Sequence, residues 1–141
     1  MSDDTTPVID GAAIAKATKR ILIVDDEMDI TAVYSMLFEL NGFAVTTAAN
    51  GRQAFDLIGQ ERPDIVLSDC MMPVMDGIEL ARLLRSDPAT AGIPIILMSA
   101  LPDPDKLGTS EHDLFVQKPA KFPALLRAVE GLLNAAGGSR T

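Results

Sequence analysis

Five short apolar runs recur along the chain, and each stops at a polar or turn-forming residue. They lie at residues 21–24, 43–48, 65–68, 95–98 and 114–116. Most are apolar at consecutive positions, so both faces of the segment would be buried, which is typical of strands in a parallel sheet. Pro94 precedes the fourth run, and the first position of a strand tolerates proline. The pattern predicts five β-strands, most of them buried.

Helical spacing of apolar residues fills most intervals between these runs. Residues 29–40 predict a helix whose apolar side faces the sheet and consists of Ile30, Val33, Tyr34, Leu37, Phe38 and Leu40. Further helices are predicted to open at Asn50-Gly51, to end near Ser86 and to cover 122–133. Strands that alternate with about five helices indicate an α/β fold with a doubly wound, five-stranded parallel sheet.

The interval between the fourth and fifth runs departs from this pattern. Pro102, Pro104 and Gly108 interrupt residues 101–112 and allow a turn or two of helix at most. A sheet of this type normally carries a full helix on each connection between parallel strands. We therefore predict a short or irregular fourth helix in this interval.

Length and composition fit a single globular domain. The chain has 141 residues, of which 48% are hydrophobic, and this is more than a disordered chain carries. We predict one ordered domain over 20–135, with a flexible N-terminal tail over 1–19 and a disordered C-terminal tail over 136–141. The chain stops after this domain, so we expect no attached effector module.

Net charge, apolar run length and cysteine content limit the compartments and partners that fit the sequence. The net charge of −8 argues against direct contact with nucleic acid, because phosphate backbones need clustered lysine and arginine. No apolar run approaches the roughly 20 residues of a membrane span, and the acidic start is not a secretory signal. Cys70 is the only cysteine, which fits a reducing compartment. These features predict a cytoplasmic protein that does not contact the membrane.

Polar side chains stand where four of the predicted strands end. Asp25 and Asp26 follow the first strand, Asp69 the third, Ser99 the fourth and Lys118 the fifth. In a parallel sheet these ends share one edge, where ligands bind in open α/β folds. Three carboxylates would repel one another unless a cation intervened, and oxygen ligands favour Mg²⁺, with Mn²⁺ as an alternative. The pattern predicts a cation site beside Asp69, which could act as a nucleophile toward a phosphoryl group.

Each of these residues, taken alone, also has a structural interpretation. Asp25 and Asp26 could cap a helix, and Lys118 could be a solvated charge. Ser99 could close a turn, and Phe115 could be an ordinary core aromatic of the fifth strand. Their combination at the ends of separate strands favours a functional site.

The motifs around these residues resemble those of one known family. They are the stretches 21–27, 63–69, 72–77 and 94–100 and the dipeptide Lys118-Pro119. In order and rough spacing they are similar to the receiver domain of bacterial two-component response regulators, and the resemblance covers about 20–135. It implies a flavodoxin-like (CheY-like) three-layer sandwich.

The resemblance also implies roles for the acids. Asp69 corresponds to the phospho-acceptor and is also a ligand of Mg²⁺, and Asp26 corresponds to the acid that binds Mg²⁺ directly. Asp25 corresponds to its neighbour, which often acts through water, and Met71 would contribute its backbone carbonyl as a further metal ligand.

Further residues take roles from the same resemblance. Ser99 corresponds to a switch hydroxyl, Lys118 to a lysine that binds the phosphoryl group, and Phe115 to an aromatic rotamer switch. The Lys118-Pro119 bond is cis in the family. Pro73 and Gly77 correspond to structural positions in the loop after the acceptor.

The implied function is that of a stand-alone phospho-receiver. Asp69 would take its phosphoryl group from a sensor histidine kinase or a histidine phosphotransfer protein, in a self-catalysed and Mg²⁺-dependent reaction. A conformational change would then signal to an unidentified downstream protein, and the chain would be a monomer or weak dimer. Alternatives within the family are a phosphorelay intermediate, a phosphate sink or a phosphorylation-independent binding module. Each is a switch or binding role rather than a turnover enzyme.

Two other functions are known for similar sheets. A phosphohydrolase of the haloacid-dehalogenase kind carries its nucleophile after the first strand and a second acid two residues later. Here Asp25 is followed by Asp26 and Glu27, and the context of position 27 does not fit. A flavin mononucleotide binder would need a Ser/Thr-rich phosphate loop after the first strand, and the sequence has none there.

Overall fold

The computed structural model describes residues 18–100 and 113–138, with the side chains of 136–138 left out. The chain forms nine elements in these ranges: β1 (Arg20–Val24), α1 (Met28–Leu40), β2 (Ala44–Ala48), α2 (Gly51–Gln60), β3 (Ile65–Asp69), α3 (Gly77–Ser86), β4 (Ile95–Ser99), β5 (Leu114–Gln117) and α4 (Phe122–Gly138).

The five strands form one parallel sheet in the order β2-β1-β3-β4-β5. In the centre of the sheet, Ile21 is in register with Ile65, and Val66 with Ile95. The order places β1 and β3 side by side, so the residues that follow them meet at one edge. The predicted doubly wound α/β sheet is confirmed.

Alternation along the strands divides the core into two layers. Leu22 and Val24 of β1 pack with α2 and α3 on one face of the sheet. Ile21 and Ile23 point to the other face and pack with α1 and α4. Since successive side chains of a strand point to opposite faces, an apolar residue is needed at every position of a central strand. This is why β1, β3 and β4 read as continuous apolar runs.

The outer strands are less buried than the central ones. β2 exposes Thr46 and Thr47, and β5 exposes Leu114 and Gln117. Each has one neighbouring strand in the described sheet, so polar side chains can reach solvent along it. The prediction of burial is confirmed for the three central strands.

Two helices differ in detail from the prediction. In α1, Val33 and Leu40 are 50% and 75% exposed, because the helix turns Thr31 and Phe38 toward the sheet. The expectation that all six apolar residues face the sheet was therefore wrong. α4 ends at Gly138 rather than near Leu133, since the intervening residues include alanine, which favours helix.

Several predictions fall on residues that are not described. They are the irregular helix in 101–112, residues 1–17 of the N-terminal tail and residues 139–141 of the C-terminal tail. In the described ranges, no helix is both long and apolar enough to cross a membrane.

Candidate functional site

Three carboxylates meet at the edge of the sheet where β1 and β3 end. Asp25 and Asp26 follow Val24 directly, and Asp69 is the last residue of β3. One oxygen from each acid lies within 4.8 Å of the other two. Asp25 is buried and Asp26 is exposed, while the Asp69 side chain is 12% exposed. The cluster is therefore buried at Asp25 and open to solvent at Asp26.

Lys118 bridges two of the acids from the end of β5. Its Nζ lies 3.1 Å from Asp25 Oδ2 and 3.4 Å from Asp69 Oδ1. The backbone N–H of Lys118 donates a hydrogen bond to the carbonyl oxygen of Ser99, with an N···O distance of 2.8 Å. This bond continues the pairing of β4 with β5 by one residue, so the sheet itself directs the lysine toward the acids.

Burial and charge shift the proton affinities in the cluster. Burial raises the pKa of the Asp69 carboxyl; Lys118 opposes the rise, and Asp25 adds to it. Burial lowers the pKa of the Lys118 ammonium, but the hydrogen bond to Asp25 and the charges of both acids outweigh burial and raise it. Lys118 therefore stays charged at neutral pH, while Asp69 is less well solvated than an ordinary surface acid.

The donor set fits a hard divalent cation. Asp25, Asp26 and Asp69 offer carboxylate oxygens only, and such ligands suit Mg²⁺ rather than a soft metal. One lysine neutralises part of the charge of three acids, so the cluster retains a negative excess. The exposed side of the cluster would leave room for water or a further oxygen ligand. Met71 lies in the loop after Asp69 with its side chain 59% exposed, and the metal-ligand role of its carbonyl stays a prediction.

The loop after Asp69 returns closely over the end of β3. The N–H of Gly77 donates to the carbonyl oxygen of Cys70 at 2.9 Å. A Cβ at Gly77 would collide with the carbonyl oxygen of Asp69, so glycine is required at this contact. Asp76 then caps α3, because its Oδ1 accepts from the N–H of Glu79 at 2.8 Å. The predicted structural role of Gly77 thus has a steric cause, whereas Pro73 is exposed in the loop.

The start of α2 supports the same loop, and the sequence analysis missed this contact. The N–H of Gly51 donates to the carbonyl oxygen of Met75 at 2.8 Å. A Cβ at Gly51 would lie only 2.7 Å from that oxygen. Asn50 Oδ1 caps the helix by accepting a hydrogen bond from the N–H of Gln53, and Gln53 Oε1 accepts one from the N–H of Ala49. The Asn50-Gly51 pair marked a helix start, but sequence alone does not show which loop approaches it.

The remaining predicted residues lie around the cluster. Ser99 is the buried last residue of β4. Phe115 is partly buried and packs on the core face shared with α2 and α3. The Lys118-Pro119 peptide bond is cis. The switch roles of Ser99 and Phe115 stay predictions, and the packing of Phe115 also agrees with its structural interpretation.

Cys70 follows Asp69 directly and is fully buried. Burial raises the pKa of its thiol to about 12, and the charges of Asp69 and Asp76 add to the shift. The thiol is therefore protonated at neutral pH and does not act as a nucleophile beside Asp69.

Comparison with known proteins decides the family. A family model described as the response regulator receiver domain matches residues 21–130. The chain belongs to this family. Receiver domains are signalling switches rather than turnover enzymes.

Curated relatives of this receiver domain are longer proteins. It is 37% identical over 117 residues to the phosphate regulon transcriptional regulatory protein PhoB of Pseudomonas aeruginosa, covering 79% of this chain and 51% of PhoB. It is 35% identical over 119 residues to the DNA-binding response regulator MtrA of Mycobacterium tuberculosis, covering 82% of this chain and 51% of MtrA. The chain therefore spans about half the length of the curated relatives it matches.

Solved structures agree with the receiver fold. The signal receiver domain of a histidine kinase from Syntrophus aciditrophicus superposes with a TM-score of 0.79 at 34% identity, covering 84% of this chain and 92% of that one. The chemotaxis response regulator CheY4 of Vibrio cholerae gives a TM-score of 0.77 at 28% identity, covering 82% and 99%. The flavodoxin-like, CheY-like fold is thus confirmed.

Proposed function

We propose that Asp69 accepts a phosphoryl group and that this modification switches the receiver domain between two conformations. The observation that carries the proposal is the meeting of Asp25, Asp26 and Asp69 within 4.8 Å beneath the ammonium group of Lys118. This combination provides a nucleophile, ligands for a cation and a fixed positive charge. We assign the function to the domain over 20–135.

The chemistry requires little beyond positioning and charge neutralisation. A carboxylate oxygen of Asp69 would attack phosphorus, the bond from phosphorus to its leaving group would break, and the leaving group would keep the electron pair. Lys118 would compensate charge on the transferred oxygens, and Ser99 would donate a hydrogen bond to one of them. Asp26, Asp69 and the carbonyl of Met71 would hold Mg²⁺, with Asp25 acting through water, and the ion when bound would supply positive charge beside the phosphoryl group.

We also propose a donor and an output for this site. The donor would be the phosphohistidine of a sensor kinase or a phosphotransfer protein. Ser99 and Phe115 would carry the change from the acceptor to the surface beside β5, where a downstream protein would read it. The net charge of −8 supports a protein rather than nucleic acid as the direct contact of this domain.

Phosphorylation by a small donor tests the proposal. The wild-type chain should be labelled by acetyl phosphate in the presence of Mg²⁺, with a mass gain of one phosphoryl group that disappears in EDTA. Asp69→Asn should abolish labelling. Asp56→Asn is the matched control, because Asp56 is an exposed acid of α2 whose ion-pair partner is the exposed Arg52. Labelling that persists in Asp69→Asn would refute the assignment of the acceptor.

A further inference from the structure

Tyr34 connects α1 to the turn that follows Lys118. Its phenol oxygen lies 3.4 Å from the carbonyl oxygen of Ala120 and donates a hydrogen bond to it. The Tyr34 ring packs against the core layer shared by α1 and α4. The ring thus belongs to the core, while the hydroxyl holds the turn that joins β5 to α4.

This turn is held by hydrogen bonds at Lys118 and at Ala120. The Lys118 N–H donates to the carbonyl oxygen of Ser99 at an N···O distance of 2.8 Å. The Tyr34 hydroxyl donates to the carbonyl oxygen of Ala120. A single residue, Pro119, separates Lys118 from Ala120, so a shift of Ala120 would carry the lysine backbone with it. The two hydrogen bonds therefore hold the backbone from which the Lys118 side chain extends toward the two acids.

An open groove runs beside this turn. Its volume is about 580 Å³, and its walls include Ile30, Val33, Pro119 and the ring of Tyr34. The lining is mainly apolar, and apolar contacts have no preferred direction. The hydroxyl of Tyr34 provides a directional contact on the α1 side of the groove.

The Tyr34 hydroxyl also lies within the electric field of the acid cluster. Burial raises the pKa of the phenol, Lys118 lowers it and Asp25 raises it. The phenol therefore stays protonated at neutral pH and remains a donor to Ala120. Lys118 and Asp25, which act on Asp69, thus also act on this hydroxyl.

We propose that Tyr34 is a positioning residue for Lys118: its hydrogen bond to Ala120 sets the reach of the ammonium group toward Asp69. The inference rests on the proposed function where it is tested by phosphorylation. Tyr34→Phe keeps the ring and removes only the hydroxyl. Loss of one neutral hydrogen bond should slow labelling of Asp69 by acetyl phosphate about two- to tenfold.

A double-mutant cycle separates positioning from general structure. In a Lys118→Ala background, Tyr34→Phe should have no further effect on labelling, because there is no ammonium group left to position. Val33→Ala is the matched control, since Val33 lines the same groove without a polar atom, and it should leave the rate within about twofold. Equal rates in wild type and Tyr34→Phe would overturn the inference. So would the same slowing by Tyr34→Phe in the Lys118→Ala background.

A second measurement does not depend on phosphorylation. The NMR shifts of the Lys118 ε-methylene group should change in Tyr34→Phe and stay unchanged in Val33→Ala. If acetyl phosphate does not label the wild-type protein, the proposed function fails. The NMR shifts alone then test whether Tyr34 positions Lys118. Lys118 shifts that are identical in wild type and Tyr34→Phe would then overturn the inference.

Discussion

Lys118 lies closer to Asp25 than to Asp69, with Nζ at 3.1 Å from the first carboxylate and 3.4 Å from the second. The Asp25 side chain has no exposed surface, whereas the Asp69 side chain is 12% exposed. The lysine thus has two tasks in the described structure. It compensates the Asp25 carboxylate, which solvent does not reach, and it presents positive charge beside Asp69.

Removal of this lysine should therefore destabilise the fold as well as slow labelling. Lys118→Met leaves Asp25 buried without its cation and should lower the free energy of unfolding by about 2 kcal/mol, less than for a fully buried pair. Mg²⁺ should restore part of the loss, because a second cation can compensate the same acids. Urea denaturation with and without Mg²⁺ measures both effects.

Lys121 provides the control for that experiment. It is an exposed lysine three residues later, just before α4. Lys121→Met removes the same charge from the chain and should change the free energy of unfolding by less than about 0.5 kcal/mol. Equal losses from the two variants would mean that net charge, rather than the contact with Asp25, accounts for the effect.

Two regularities of the sequence predicted the fold and which residues lie together at the candidate site. Continuous apolar runs such as Ile65–Leu67 require burial on both faces, and parallel strands place their ends at one edge. Asp25, Asp69 and Lys118 are far apart in sequence, yet these rules were enough to bring them together.

The details that sequence did not predict are distances between elements. The preference of Lys118 for Asp25 and the approach of Gly51 to Met75 depend on how strands and helices stack, and no local pattern records that. The wrong faces assigned in α1 have a similar cause. Val33 and Leu40 fit the helical period, but the helix has more apolar residues than the sheet can cover.

Neutralisation of Asp69 should stabilise the protein in Mg²⁺-free buffer. Burial is the main cause of its raised pKa, so the folded state holds this proton to a higher pH than the unfolded chain. The stabilisation contributed by the protonated carboxyl is lost as pH rises through the raised pKa, and the ionised carboxylate then costs the folded state its desolvation free energy. Asp69→Asn should gain about 1 kcal/mol at pH 7.

The pH dependence of that gain identifies its source. The difference between wild type and Asp69→Asn should shrink as pH falls, because the wild-type carboxyl then becomes protonated. Asp56→Asn should show little change at either pH, since its side chain is 55% exposed. A gain for Asp69→Asn that stays constant from pH 7 to pH 4 would contradict this explanation.

Two glycines should respond in opposite ways to the same substitution. Gly77→Ala adds a Cβ that collides with the Asp69 carbonyl oxygen and lies 2.9 Å from Ser68 Oγ, so it should cost about 2–3 kcal/mol. Gly59→Ala lies in α2 with nothing within 4 Å of the new Cβ and should gain about 0.5–1 kcal/mol. Thermal denaturation compares the two directly, and equal shifts would exclude the steric cause.

Val74 lies in the loop between Asp69 and α3 and has a strained backbone conformation. Its φ is 70°, a left-handed conformation that a β-branched residue adopts at a cost, and its side chain is 80% exposed. Val74→Asn should therefore stabilise the fold by about 1 kcal/mol, because asparagine tolerates this conformation and little apolar burial is lost. Val33→Asn is the control: Val33 is half-exposed within α1, where φ is helical, and asparagine there should be neutral or slightly destabilising. Denaturation in urea measures both changes. A stabilisation of the same size in Val33→Asn would show that exposed valine, and not the left-handed φ at Val74, is the source of the gain.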